Sequence, residues 1–285
     1  MCLPGTAEVV RERFEREGPP PIDAPRLTRR HALLAGGATL LAAAATPGRA
    51  LAGGASTHNR RDLTHVYSES FPLFLGAPVP TERAVVVTVP ANGFYAQRWS
   101  FWEHSGTHMD APAHFIANGR QSPEITLEEL IVPIVVVDIS AKVPQDADAT
   151  ATPDDLIRFE RRYGHIPKGA LVCIYSGWES RAGSVAAYRN VGPDGLQHFP
   201  GFGAEAVRWL LANRHITGIG VDTMSLDPGA SQTFETHLTI LGANRYGIEN
   251  LKNLATIPPR GATAYVGLIP WYQGSGGPLR AIATW

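Results

Sequence analysis

From residue 62 onward the chain alternates short apolar runs with amphipathic stretches, and the two periods separate strands from helices. Aliphatic, β-branched runs at 84–89 (ended by Pro90), 131–139, 171–175, 217–221 and 263–269 have the length of strands. Residues 94–104 alternate instead, with Tyr95, Gln97, Trp99 and Phe101 on one side, as in a half-buried strand. At Thr152-Pro153-Asp154-Asp155 an N-cap residue, a proline at the first helical position and first-turn acids open a helix that continues to Arg162. Over 203–214, Ala206, Val207, Leu210 and Leu211 share one helix face, and the strand at 217 follows directly. Strands interleaved with helices predict an α/β fold, a single domain with a mixed β-sheet over 53–285. Loops at 66–82, 177–200 and 227–236 are rich in Gly, Pro and Ser and are expected to build a pocket.

The N-terminal 52 residues break this rhythm. Residues 1–27 carry charge, Pro and Gly without a hydrophobic period. The pair Arg29-Arg30 then precedes an Ala/Gly/Leu stretch reaching about Ala45, and Ala50-Leu51-Ala52 offers a small-residue cleavage site. That order reads as a twin-arginine signal, so export to the cell envelope or beyond is expected. The apolar stretch is shorter than the ~20 residues a spanning helix needs, so no stable membrane insertion is expected.

The 285 residues carry a net charge of −1, which gives no electrostatic case for nucleic acid or an anionic membrane. Of the two cysteines, Cys2 lies in the targeting region, which leaves Cys173 in the run Leu171-Val172-Cys173-Ile174-Tyr175 as a buried core residue. A thiolate zinc site is excluded on the same count.

The chemistry concentrates in one short window. Of ten histidines, His104, His108 and His114 fall within 104–114, together with Asp110. Pro112 opposes a continuous helix, so the window is expected to be an irregular loop that turns several side chains toward one point. Imidazole with carboxylate is the donor set of a borderline divalent ion such as Zn²⁺ or Mn²⁺. Three such ligands leave a coordination position open, where a water becomes acidic near pH ~7. A further histidine outside the ligand set could carry the proton, and spacing alone does not say which of the three it is. His58, His65, His165, His198 and His215 are read singly as structural, Asp222 as a structural acid at a strand end, and Asp227 as a turn residue before Pro228.

The window 104–114 matches throughout the H-x-G-T-H-x-D-x-P-x-H signature of the cyclase family, which contains the bacterial kynurenine formamidases and isatin hydrolases. Blocks at 62–64, 166–172 with 176–178, 199–202, 220–227, 248–251 and 276–280 resemble that family in order. The resemblance implies the swivelling β/β/α cyclase fold and a homodimer or higher homo-oligomer. It implies that His104, His108 and Asp110 bind one metal, and that His237 and Glu249, twelve positions apart, join a second, with Asp110 also shared. One or two ions are therefore expected. His114 takes the family's proton donor/acceptor role. Where formamidases that cleave N-formylkynurenine carry a substrate-lining tryptophan, this chain has Phe74, which keeps an aromatic face for a planar small molecule.

The leading expectation is hydrolysis of an amide-like C–N bond, linear or cyclic, with metal-activated water. The same machinery would serve lactone or ester opening. An exported metal- or ligand-binding protein without turnover would keep the ligands but have no use for His114.

Overall fold

The computed structural model describes residues 59–74, 77 and 79–285. The targeting region read over 1–52, and His58, lie outside the described residues. The strands run in the order β1 (Arg60–Asp62), β2 (Glu82–Val87), β3 (Ala96–Ser100), β4 (His108–Asp110), β5 (Ile131–Asp138), β6 (Thr150–Ala151), β7 (Leu171–Tyr175), β8 (Gly201–Phe202), β9 (Gly218–Val221), β10 (Tyr246–Glu249), β11 (Ala262–Leu268) and β12 (Gly276–Thr284). The longer helices are α1 (Pro153–Tyr163), α2 (Ala204–Asn213) and α3 (Glu235–Gly242).

Among the described residues, 83–99 form a small compact unit and the remainder a large one. The small unit is the β2–β3 hairpin, with the Arg83 guanidinium over the Trp99 ring at 5.9 Å. The first strand has its predicted length but starts and ends two residues earlier, at 82–87, whereas the second is shorter than the alternation over 94–104 predicts. Val89–Asn92 is a helical turn with Pro90 at its start, closed by Gly93 at φ 77°. Residues 101–104 leave the strand.

The large unit is the expected α/β domain with a mixed sheet, and the sheet closes into a barrel. Its order is β1-β12-β11-β5-β7-β9-β10-β4, and β4 also pairs with β12. The β5–β7–β9–β10 pairings are parallel, whereas β4, β11, β12 and β1 join antiparallel. Closure works because β12 is long. Its first residues, 276–278, pair with β4, and its last, 282–284, pair with β1.

Two apolar layers follow from the period-two alternation of the strands. Ile134, Val136, Leu171, Cys173, Met109 and Ile248 belong to one buried cluster. Val135, Val137, Val172 and Ile174 face the other way and pack with Leu156 and Phe159 of α1, Val207 and Leu210 of α2, and Ile240 and Leu241 of α3. Cys173 is buried and free, as expected.

Candidate active site

The window 104–114 is not wholly an irregular loop. His108–Asp110 is a buried strand, and Pro112–His114 a 3₁₀ turn. Three residues are too few to announce a strand by their own period. Register then decides which side chains meet. Met109 lies opposite Ile248, and both point into the first apolar cluster. His108, Asp110 and Glu249 must therefore emerge on the other face, with Glu249 directly opposite His108. The residues opposite Asp110 are Gly247 on β10 and Gly276 on β12. A Cβ on Gly276 would lie 2.1 Å from the Met109 carbonyl oxygen and 2.7 Å from the His104 ring, so only glycine lets β12 close against the site. On α3, His237 shares a face with Ile240 and Leu241, whose burial brings its imidazole to the same place.

Six of the seven site residues read from the sequence gather here, and the seventh, Phe74, lines the pocket above them. His104 Nδ1 is 2.7 Å from Asp110 Oδ1, and His108 Nε2 is 3.4 Å from the same oxygen. His108 Nε2 is 3.3 Å from Glu249 Oε2. His237 Nε2 is 3.4 Å from Asp110 Oδ2 and 3.1 Å from Glu249 Oε1. The donor atoms of His104, His108 and Asp110 lie within 4.8 Å of one another, and so do those of Asp110, His237 and Glu249. Asp110 belongs to both sets.

Hydrogen bonds fix the rings. His108 Nδ1 donates to the Gly106 carbonyl at 2.9 Å, which leaves Nε2 facing the carboxylates. Gly106 sits at φ 64° with the Tyr67 ring where a side chain would begin, so its turn admits no larger residue. Asn250 Nδ2 donates to the same carbonyl at 2.8 Å. His104 Nε2 is 2.8 Å from Ser275 Oγ. His114 stacks on His104, with ring centroids 3.6 Å apart.

The charge balance suits a divalent cation. Burial works to raise Asp110, but the four surrounding histidines outweigh it and hold the carboxylate well below its usual range. Burial, then the neighbouring Asp110, raises Glu249. Burial opposes protonation of His108, yet Asp110 and Glu249 lift it to about 9. Burial, reinforced by the adjacent imidazoles against the pull of Asp110, drives His114 down to about 4. Metal-free, the cluster offsets its carboxylates by holding protons on imidazoles, which a divalent ion would displace. Asp110 Oδ2 is buried without a hydrogen-bond partner, an expensive state that a cation relieves. The residues present therefore fit one or two divalent ions.

Above the cluster is a pocket of about 330 Å³. Phe74 packs edge-on against Phe199 and tilted against Phe234, at 6.4 and 6.2 Å. Phe115 lies 4.7 Å from both the His114 and His237 rings. Trp102, Phe115 and Phe234 join Phe74 as walls, and none of the described lining residues is Lys or Arg. Sequence reasoning missed these three aromatics, which obey no common spacing. Asp222 is a buried strand-end acid, as read, accepting from Ser176 and Trp178 and raised to about 6 by burial. Asp227 is more than a turn residue. It is buried, and its carboxylate holds His237 Nδ1 at 2.6 Å. Of the singly read histidines, His65 is half-buried, and its Nε2 lacks a partner. His198 bonds Asp148 and Asp194.

The family model described as Putative cyclase matches residues 61–228. The isatin hydrolase of Roseibium aggregatum is 33% identical over 199 residues, covering 67% of this chain and 75% of that one. The kynurenine formamidase of Delftia acidovorans is 25% identical over 197 residues, covering 61% and 79%. The structure of isatin hydrolase A from Ralstonia solanacearum superposes with a TM-score of 0.75 at 38% identity, covering 80% of this chain and 92% of that one.

Proposed function

The chain belongs to the cyclase family, as a metal-dependent hydrolase of amide-like C–N bonds, and from that premise we propose that its substrate is a planar, uncharged aryl or ring amide. The observation that carries this reading is the pairing of a shared His/Asp/Glu cluster with aromatic walls whose described residues include no lysine or arginine. An amino-acid head group, such as that of N-formylkynurenine, would bring a carboxylate with no Lys or Arg among the described lining residues to receive it. The isatin type of substrate, a flat ring with no fixed charge, suits Phe74, Phe115, Phe234 and Trp102.

We assign His104, His108 and Asp110 to one ion and Asp110, His237 and Glu249 to a second, with Zn²⁺ and Mn²⁺ both suited to this donor set. A bound divalent ion supplies carbonyl polarisation and an acidic water. The chain's own residues do the rest. Asp110 and Glu249 are held facing the histidines by strand register, so the ligands need little reorganisation. His114, held off its protonated state, is free to take a proton from the water and pass it to the departing nitrogen. Its stacking on His104 fixes the ring plane during that exchange. Phe115 and Phe234 exclude bulk water beside His237.

The test is a substrate panel on metal-reconstituted protein: isatin, a simple formanilide, N-formylkynurenine and an aryl lactone. The reading expects the first two to turn over well ahead of N-formylkynurenine. A preference for N-formylkynurenine would overturn the charge argument, and a preference for the lactone would overturn the C–N assignment.

We also propose export by the twin-arginine route, supported by Arg29-Arg30 and the apolar stretch that follows. Replacing both arginines with lysine should retain the protein inside the cell. A homo-oligomer is proposed on resemblance, and sedimentation would measure it. Among the described residues no helix is long and apolar enough to cross a membrane.

A further inference from the structure

We propose that Asp227 is a positioning residue that locks His237 in its ligating tautomer and thereby sets the affinity of the second cation site. This rests on the assignment of His237 as a ligand. Asp227 follows β9 and is buried. Its Oδ1 accepts the Thr236 backbone N–H at 2.9 Å and the Ser231 hydroxyl at 3.4 Å. Its Oδ2 accepts both the His237 backbone N–H at 3.1 Å and the ring Nδ1–H at 2.6 Å. No Lys or Arg side chain pairs with it in these contacts.

Two duties meet in one carboxylate. The first is capping. The residue just before α3, Phe234, offers no capping side chain and stands at φ 50°, so the first N–H groups of the helix need an acceptor from elsewhere. Both oxygens share that duty, Oδ1 on the Thr236 N–H and Oδ2 on the His237 N–H. The second falls to Oδ2 alone, which accepts the ring Nδ1–H as well. A carboxylate can only accept, so Nδ1 must carry the hydrogen, and Nε2 is the nitrogen left facing Asp110 Oδ2 and Glu249 Oε1, where it would offer its lone pair to a cation held between them. The first cation site has no such dependence, because His108 takes its tautomer from the Gly106 carbonyl. Asp227 should therefore act on the second site alone.

The experiment titrates the metal-free full chain with Co²⁺, following heat and visible absorption, for wild type, Asp227→Asn and His237→Ala. The asparagine keeps the shape and one acceptor for the helix, but can turn a donating NH₂ toward Nδ1, which favours the tautomer whose Nε2 is blocked. In Asp227→Asn, binding at the second site is expected to weaken about 10–100-fold while the first is unchanged. The spectrum of the second equivalent should change, and the thermal midpoint of the metal-free protein should stay near that of wild type. Asp227→Asn that binds both ions as wild type does, beside a His237→Ala variant that loses one, overturns the inference and leaves Asp227 a helix cap. Equal weakening at both sites with a collapsed midpoint overturns it as well. A wild type that takes up one ion only, or a His237→Ala variant that titrates like wild type, instead brings down the ligand assignment itself.

Discussion

Two buried acidic clusters in the large unit solve the same electrostatic problem in opposite ways. On α1, Asp155 is met by Lys142, Arg158 and the Thr152 N–H and hydroxyl, and Glu160 by Arg214 and the Ile166 N–H. Fixed protein cations and backbone donors satisfy these carboxylates, and both are held below their usual range. Around Asp110 and Glu249 the partners are imidazoles and a single backbone donor, the Leu226 N–H on Glu249 Oε1, with no Lys or Arg in these contacts, and Asp110 Oδ2 has none within bonding geometry. A cluster completed from within contributes to folding. One left short of positive charge is built to receive it from outside, and the difference is visible in the choice of Arg and Lys against His.

The largest test of that contrast is to neutralise one acid in each cluster. Asp110→Asn or Glu249→Gln should abolish activity and reduce ion uptake, measured by elemental analysis after reconstitution. Because burial and Asp110 already disfavour a charged Glu249, the metal-free Glu249→Gln protein should melt no lower than metal-free wild type. A large loss of stability there would mean the cluster supports the fold after all. His114→Ala comes next. It should lower kcat about 10²–10⁴-fold with metal content intact, and undiminished turnover would remove His114 from proton transfer.

Glu160→Gln should do the reverse, costing about 1–2 kcal/mol of stability at neutral pH with catalysis retained. The Arg214 bonds hold Glu160 at about 2, below its ordinary 4.5. Its contribution is therefore complete above about pH 4.5 and drains away as pH falls toward 2. Denaturation of wild type and variant should converge across that window. A gap that persists to pH 2 would show that shape, not charge, is at work. Phe74→Ala is expected to have the smallest effect, raising KM about 2–10-fold with kcat little altered and both clusters untouched.

Most of the ring was legible because its strands are continuous aliphatic runs, 131–138 and 171–175 above all. The site was legible at 104–114 because three histidines and an aspartate crowd eleven positions. His237 and Glu249 needed the resemblance, since nothing in a separation of twelve says that a helix and a strand will return to one point. What stayed hidden has physical reasons. β10 opens Tyr246-Gly247, and its glycine weakens any strand pattern. α3 follows a phenylalanine in a conformation that propensity argues against, its N–H taken by Ser231 Oγ while Asp227 accepts the Thr236 N–H of the first turn. Asp227 itself was masked by Pro228, whose turn signal is real but incomplete.

The contact between 276–278 and 108–110 has a bearing on biogenesis. Of the strands in the ring, β12 is the last to be translated, and until it arrives β4 keeps an open edge and His104 lacks Ser275. A nascent chain thus carries all five ligand side chains before it has the strand that closes the β4 edge and the serine that holds His104. The wall behind the site is finished only when the end of the polypeptide folds back onto its middle.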